Sequence, residues 1–428
     1  MSCFPLVAQN TTDSIKKEKP KTGFNFGALP AIAFDSDLGF KYGALANFYD
    51  YGDGSNYPMY KHSLFLEWSR TTKGSGINQV IYDSEYLIPK IRTTFQFDLF
   101  TEKALDFYGF NGFESYYNPN YEDQKSSEYI SRMYYRHERR VTHMKADFQG
   151  NILGRKIRWF AGIEYFGHKI STVNIDKLNK GLDKEDILPD TALLYDKFVD
   201  WGIITQDQKN GGDNTFIKAG LVYDTRDNEP NPMSGIWTEA FILGGIPDFG
   251  TKKYSFSKFI ITHRQYFTLY PEILNLACRF SYQKKISGTM PFYMLPYIYN
   301  STITRDGLGG AKTLRGVVRN RVTGEDYLYG NLELRWKFYR KMIMKQNLYI
   351  ALAGFYDFGK VTGKYSFTAN SAAADYLSKG NEESWHSGYG AGLYFAMNQN
   401  FVVSFTYGLS AHKEDGNSGV YIGLNFLY

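Results

Sequence analysis

Residues able to do chemistry are spread thinly along this 428-residue chain. The densest pattern is a glycine-rich run, Arg305 to Arg321, which holds Gly307, Gly309 and Gly310 and then a Leu314-Arg315-Gly316 tripeptide. It fails as a phosphate cradle, because no Gly-Lys-Ser/Thr and no following helix pattern accompany it. No Gly-x-Ser-x-Gly elbow and no His-Glu-x-x-His occur either. The histidines (His62, His137, His143, His168, His263, His386, His412) show no metal-ligand spacing. Asp35 with Asp37 and Asp50 with Asp53 fall in turn-like segments, where Asp serves turn geometry more often than calcium. The expectation is a protein that is not an enzyme and has no cofactor and no metal. The glycine-rich run, ending in Leu314-Arg315-Gly316 between two predicted strands, points instead to a membrane barrel with a loop folded inside it.

The elements that must carry such a loop are strands. Aromatic residues make up 18% of the chain, with 36 Tyr and 33 Phe, a composition that favours β-structure. Mean hydropathy is −0.40 and no apolar run reaches the roughly 18 residues of a membrane helix. In a transmembrane barrel only alternate residues face lipid, so that average does not exclude a membrane. The net charge of +5 is spread without a dense basic block, which argues against nucleic acid. Cys3 and Cys278 are too isolated to predict a structural disulfide. The start, Met1 to Gln9, resembles the tail of a secretory signal, and Lys16 to Lys21 reads as a basic linker. Residues 1–22 are therefore expected to be a residual signal peptide with a short periplasmic segment, and residues 23–428 the barrel.

Alternation and turn punctuation predict sixteen strands, near 24–34, 38–51, 60–71, 76–87, 92–104, 130–147, 156–172, 214–226, 235–248, 253–270, 274–287, 323–339, 347–362, 385–397, 400–412 and 418–428. The long connections, 105–129, 173–213, 288–322 and 363–384, all follow odd-numbered strands. Those after even-numbered strands are predicted not to exceed about eight residues, the parity of an up-and-down outer-membrane barrel. Leu328, Leu332, Leu334, Trp336 and Phe338 oppose Tyr327, Tyr329, Asn331, Glu333, Arg335 and Lys337. Likewise Leu348, Ile350, Leu352, Tyr356 and Phe358 oppose Tyr349, Ala351, Ala353, Phe355 and Asp357. A charge facing the bilayer midplane costs about 2–4 kcal/mol, so the charged sets point inward. In 418–428, Val420, Ile422, Leu424, Phe426 and Tyr428 are expected on one face. Pro30 interrupts the first strand, which in a closed barrel pairs with the last, and predicts a short or weak seam. The aromatic connection with Phe107, Tyr108, Phe110, Phe113, Tyr116, Tyr117 and Tyr121 admits two readings, a partner surface or packing beneath neighbouring loops.

Three segments together resemble the outer-membrane protein 85 superfamily of BamA-like bacterial surface-antigen barrels. Tyr223-Asp224-Thr225-Arg226-Asp227 with Pro232 and Gly235 resembles its periplasmic turn between strands 8 and 9. Gly309 to Val317 resembles its sixth-loop motif, and Phe355 to Gly359 its Asp-x-Gly element on strand 13. The end, with Gly423, Phe426 and Tyr428, fits the family's terminal insertion signal. The resemblance implies an all-β, 16-stranded antiparallel transmembrane β-barrel in the bacterial outer membrane, with its sixth extracellular loop folded inward. It further implies that Arg315 meets acidic wall residues, for which Asp357 and Glu333 lie on the inward faces. A lumenal guanidinium needs such carboxylates, and its planar fork suits them better than lysine would. The loop reads equally as a stabilising plug or as a moving gate. Val317 stands where the family has an aromatic, which predicts looser packing of the loop tip.

Fewer than 25 residues precede the first strand, too few for the POTRA domains of assembly and secretion members, so the resemblance is to short members of the Bacteroidota. The function expected is an accessory subunit in outer-membrane protein or surface-lipoprotein assembly or export. The alternative is a passive pore or scaffold whose extracellular loops bind partners or glycans. Expected partners are outer-membrane lipids, lipopolysaccharide, and other assembly proteins or lipoproteins.

Overall fold

A computed structural model describes residues 20–428 except 36–38, 58, 230, 251, 302–304, 344–345, 398–400 and 425. The signal-peptide expectation for residues 1–22, Cys3 and Asp37 thus lie wholly or largely outside the described residues. Sixteen antiparallel strands form one sheet. They are β1 (Phe24–Pro30 and Ala33–Asp35), β2 (Gly39–Asp50), β3 (His62–Thr71), β4 (Gly76–Ile88), β5 (Ile91–Asp106), β6 (Arg136–Leu153), β7 (Ile157–Ser171) and β8 (Gly211–Asp224), followed by β9 (Gly235–Gly245), β10 (Phe256–Tyr270), β11 (Leu274–Gly288), β12 (Asp326–Ile343), β13 (Gln346–Gly363), β14 (His386–Met397), β15 (Phe401–Ser410) and β16 (Ser418–Leu424). Each strand pairs with its sequence neighbour from β1 through β16. Among the described residues no ladder joins β1 to β16.

The alternation read from the sequence sets the two faces. Leu334, Trp336, Leu352 and Tyr356 are exposed on the outside, whereas Tyr327, Asn331, Glu333, Arg335, Ala351 and Asp357 are buried within. The interior is therefore polar and charged while the exterior carries an apolar belt, the reverse of a soluble sandwich.

The long connections follow β5, β7, β11 and β13, and they pack on one another over one end of the lumen. Phe107, Phe110, Phe198, Phe292, Tyr365 and Tyr376 meet there in one buried cluster. Of the two readings of the aromatic connection after β5, packing is what is observed, with Phe107, Tyr108, Phe110 and Phe113 all buried. The turns at the other end are short, but 51–61 and 225–234 are longer than expected. Their length comes from structure of their own, since Asp50 and Asp227 accept backbone N–H groups within them.

Several strand boundaries shift from those expected, and two of the shifts bear on the site. β6 begins at Arg136 because residues 131–135 turn back under the cap, with Tyr134 N bonded to Ser131 O and Arg136 N to Met133 O. β16 ends at Leu424 rather than at the C-terminus. Phe426 and Tyr428 therefore do not share the outward face of Val420 and Ile422. Phe426 is 7% exposed and stacks on Tyr394 inside the barrel, with ring centroids 4.7 Å apart.

Candidate functional site

The connection between β11 and β12 descends into the lumen instead of joining the cap alone. A two-residue hairpin, Tyr297–Ile298 with Arg305–Asp306, narrows it, and the glycine-rich run then turns toward the wall. Gly309, Gly310 and Gly316 have φ of +113°, +80° and +96°, a region that side-chain-bearing residues rarely adopt. The turns are fastened by Thr313, whose Oγ1 accepts from Gly309 N and donates to Gly307 O.

Those turns deliver Arg315 to the wall with only 2% of its surface exposed. Its Nε donates to Asp357 Oδ2 at 2.8 Å and its second amino group to Oδ1 at 2.9 Å, a bidentate fork. The third nitrogen donates to Glu333 Oε2 at 2.7 Å, and the Arg315 backbone N donates to Asp357 at 3.0 Å. The guanidinium also lies over the Phe355 ring, 3.5 Å from its centroid. Glu333 is shared: Arg335 Nε donates to Oε1 at 2.6 Å and Tyr394 Oη to Oε2 at 3.3 Å. Asp357, Glu333 and Arg335 are fully buried, so the cluster has no water to fall back on. Each charge in such a network depends on the others, and removing one strands the rest.

On the opposite side of the tip, Leu314 and Val317 enter an apolar cluster with Ile298, Leu308, Val322, Tyr327, Tyr329 and Val361. Val317 is completely buried, so the looser packing expected from the missing aromatic is not what the fold shows.

The C-terminal residues complete the site from the seam. Gly316 N donates to Tyr421 Oη at 3.0 Å, and Tyr428 Oη donates to Ala277 O at 3.0 Å and Asn331 O at 3.1 Å on β11 and β12. Arg335 donates to the Tyr428 carbonyl oxygen and lies 4.3 Å from the Phe426 ring centroid. The tail is thus an internal strap from β16 across to β11 and β12, and the buried charge cluster holds its end. Gly423 sits under the loop, its absent Cβ 3.7 Å from Lys312 Nζ.

Pro30 pairs with Ala44, and β1 breaks immediately after it. Ala31 N donates to Gly43 O on β2. Successive amides in a strand point to opposite sides, so the donor that Pro30 lacks belongs to the free edge. That edge is unusually bare: Phe24 and Phe26 are 70% and 71% exposed, and Val420 and Ile422 on β16 are 74% and 71%.

The turn residues Asp224, Arg226, Asp227, Pro232 and Gly235 close the other end. Arg226 forks onto Asp224 and lies 4.1 Å from the Trp237 ring centroid, Asp227 accepts from Met233 N and Ser234 N, and Pro232 O accepts from Asn275. Gly235, at φ +103°, has no room for a Cβ beside Thr225 O at 2.4 Å. The turn also reaches across the barrel, where Glu229 accepts from Arg92 at 3.0 and 3.1 Å. Burial alone would raise the Glu229 carboxyl, but Arg92, Arg226 and Arg158 hold it down to about 2.

Arg335 and Tyr394 belong to the Arg315 cluster and were not singled out as site residues from the sequence, nor were Gly388 and Gly408, against which the loop rests. A signal existed for the glycines. Gly388, Gly390 and Gly392 recur at every second position, which leaves one face of a strand without side chains. Among the described residues no group of three His, Cys, Asp or Glu side chains is placed to hold a metal ion.

The Omp85 superfamily domain model matches residues 69–427. Among solved structures the chain is similar to BamA from Haemophilus ducreyi lacking POTRA domains 1–3, at 14% identity and a TM-score of 0.53, covering 95% of this chain and 71% of that one. It is also similar to CdiB from Escherichia coli, at 11% identity and a TM-score of 0.57, covering 95% of this chain and 64% of that one. These likenesses speak for the fold. A comparison with curated proteins found no match.

Proposed function

Because this chain belongs to the Omp85 superfamily of outer-membrane barrels, we propose that it is an accessory subunit in the assembly or export of outer-membrane proteins or surface lipoproteins, with the β1/β16 seam as its working element. The observation that carries this reading is the seam itself. No ladder joins the two edges among the described residues, β1 breaks after Pro30, and the last residues of the chain are spent inside the lumen on Tyr394, Ala277 and Asn331. An unpaired strand edge is a template for a further strand.

Exposed Phe24, Phe26, Val420 and Ile422 at that seam present apolar surface to the surrounding lipid. Outer-membrane lipid and lipopolysaccharide are its proposed surroundings, and an assembly protein or lipoprotein its proposed partner. The passive-pore reading is less well supported, since the lumen holds the inserted loop, the C-terminal strap and a buried cap at one end.

Depletion of the protein in its native host, with quantitative proteomics of the outer membrane, tests the proposal. Other barrels or surface lipoproteins should fall and be restored by the wild-type gene. An unchanged outer-membrane proteome would sink it.

A further inference from the structure

Four connections that are far apart in sequence converge on one side chain, His386, at the loop end of β14. Its Nδ1 lies 2.7 Å from Asp415 Oδ1 on the connection between β15 and β16. Its Nε2 lies 3.1 Å from Glu383 Oε2 on the connection between β13 and β14. Phe113, from the connection after β5, stacks on the imidazole with centroids 3.9 Å apart, and its backbone N donates to that same Glu383 oxygen at 2.9 Å. The inserted loop arrives through Arg321. Its Nε is 3.7 Å from Asp415 Oδ1 and donates to Glu414 O at 2.8 Å, while its amino groups donate to Gly112 O at 2.7 Å and Ser115 O at 3.1 Å. The fit leaves no slack, because a Cβ on Gly112 would stand 2.0 Å from Glu383 Oε2 and 2.7 Å from His386 Nε2.

The chemistry of this junction depends on a proton. His386 and Asp415 are fully buried and Arg321 is 1% exposed. Both ring nitrogens face carboxylates, and only an imidazolium has two N–H donors to give. A neutral ring would turn a lone pair on one carboxylate where water cannot help. The charges that meet at the ring are Glu383, Asp415 and Arg321, and His412 lies beyond the Phe113 ring at 5.5 Å. With His386 protonated, two cations balance two anions. Without that proton one negative charge is left buried, and Asp415 Oδ2 already has no hydrogen-bond partner.

Asp415 also belongs to the hairpin whose second strand is the seam edge. Its carbonyl oxygen accepts from Val318 N of the inserted loop at 2.9 Å. We propose that His386 pins an autoinhibitory clasp: as an imidazolium it holds the lid closed over the lumen and ties that lid to the β15–β16 hairpin, and loss of one ring proton releases both. This goes beyond the seam and requires no cargo, so its failure is separate from that of the assembly reading.

Conductance of the purified protein in planar bilayers, followed from about pH 6 to about pH 9 across the range in which histidine gives up its charge, tests the clasp. The wild type should be closed at the acidic end and gain roughly tenfold or more in open-state occupancy at the alkaline end. His386→Gln, with no charge and a single amide donor group, should conduct at both ends without a pH response. Glu383→Gln combined with Asp415→Asn, which removes the need for an imidazolium, should abolish the response as well. A flat wild-type profile overturns the proposal, as does a folded His386→Gln that stays closed or a pH response that survives in the double variant. Heat-modifiable gel migration reports folding of each variant. Should His386→Gln not fold, the wild-type profile decides alone.

Discussion

Gly388 on β14 faces the carbonyl oxygen of Arg315 so closely that a Cβ there would stand 1.9 Å from it. The bidentate fork onto Asp357 holds one side of the loop tip, and this bare stretch of wall receives the other. The tip is therefore fixed by shape as well as by charge. Gly408 repeats the relationship, since a Cβ there would stand 2.7 Å from Gly316 N.

Adding a methyl group at Gly388 should push the tip off the wall. We expect Gly388→Ala to destabilise the barrel by about 1–3 kcal/mol, the usual cost of overfilling a packed site. Gly354→Ala is the control, because nothing lies within 4 Å of a Cβ at that position. Urea unfolding in detergent, read by tryptophan fluorescence, checks both, and equal midpoints for the two variants would refute the close fit.

Arg315→Met and Asp357→Asn should each be costly, by about 3–5 kcal/mol, because each leaves a buried charge without its partner. The double variant should lose less than the sum of the two. Coupling arises because the substitutions break one shared pair, whereas substitutions at independent sites add. Arg315→Lys should behave more like a loss than a replacement, since an ammonium cannot fork onto Asp357 while also reaching Glu333.

At the turn end, Glu229 predicts a pH effect with a definite sign. Its folded-state carboxyl sits at about 2, below the roughly 4.3 of an unfolded glutamate. Its contribution is therefore complete above about pH 4.3 and is lost as the pH falls toward 2. The side chain is 33% exposed, so screening limits the gain to about 1 kcal/mol or less. Glu229→Gln should lower stability near neutrality by up to that amount, leave stability near about pH 2 unchanged, and so remove that part of the acid dependence. An acid unfolding curve identical to the wild type would remove the ion pair with Arg92 from the account.

Much of this architecture was legible because a barrel wall writes its faces into every second residue. Asn331, Glu333 and Arg335 alternating with Leu332, Leu334 and Trp336 mark both the strand and its inward side. Asp357 was legible for the same reason. What alternation cannot report is where a chain stops being a strand. Phe426 and Tyr428 continue the pattern of Val420 and Ile422 in sequence, yet they leave the sheet, because Tyr394, Arg335 and the Ala277 and Asn331 carbonyl groups offer them partners inside. The meeting of Glu383, His386 and Asp415 was illegible for a related reason. It joins connections whose mutual placement is set by the order of the strands around the wall, and none of the three stands in a recognisable spacing.

The seam supplies the last prediction, from Pro30 and the C-terminal strap together. The missing Pro30 donor faces the free edge of β1, and Phe426 and Tyr428 are held inside instead of extending β16 toward that edge. Pro30→Ala should restore a backbone donor on the edge and favour β1/β16 pairing. Tyr428→Phe should loosen the strap, removing the hydroxyl that bonds Ala277 and Asn331 at a cost of about 1 kcal/mol. A freed tail can return to the sheet, so the combination of both substitutions should close the seam furthest. Backbone hydrogen exchange in β1 measures this directly. Protection of residues 24–30 should rise in Pro30→Ala and rise further in the double variant. Protection unchanged in both would mean that neither the proline nor the strap keeps the edges apart.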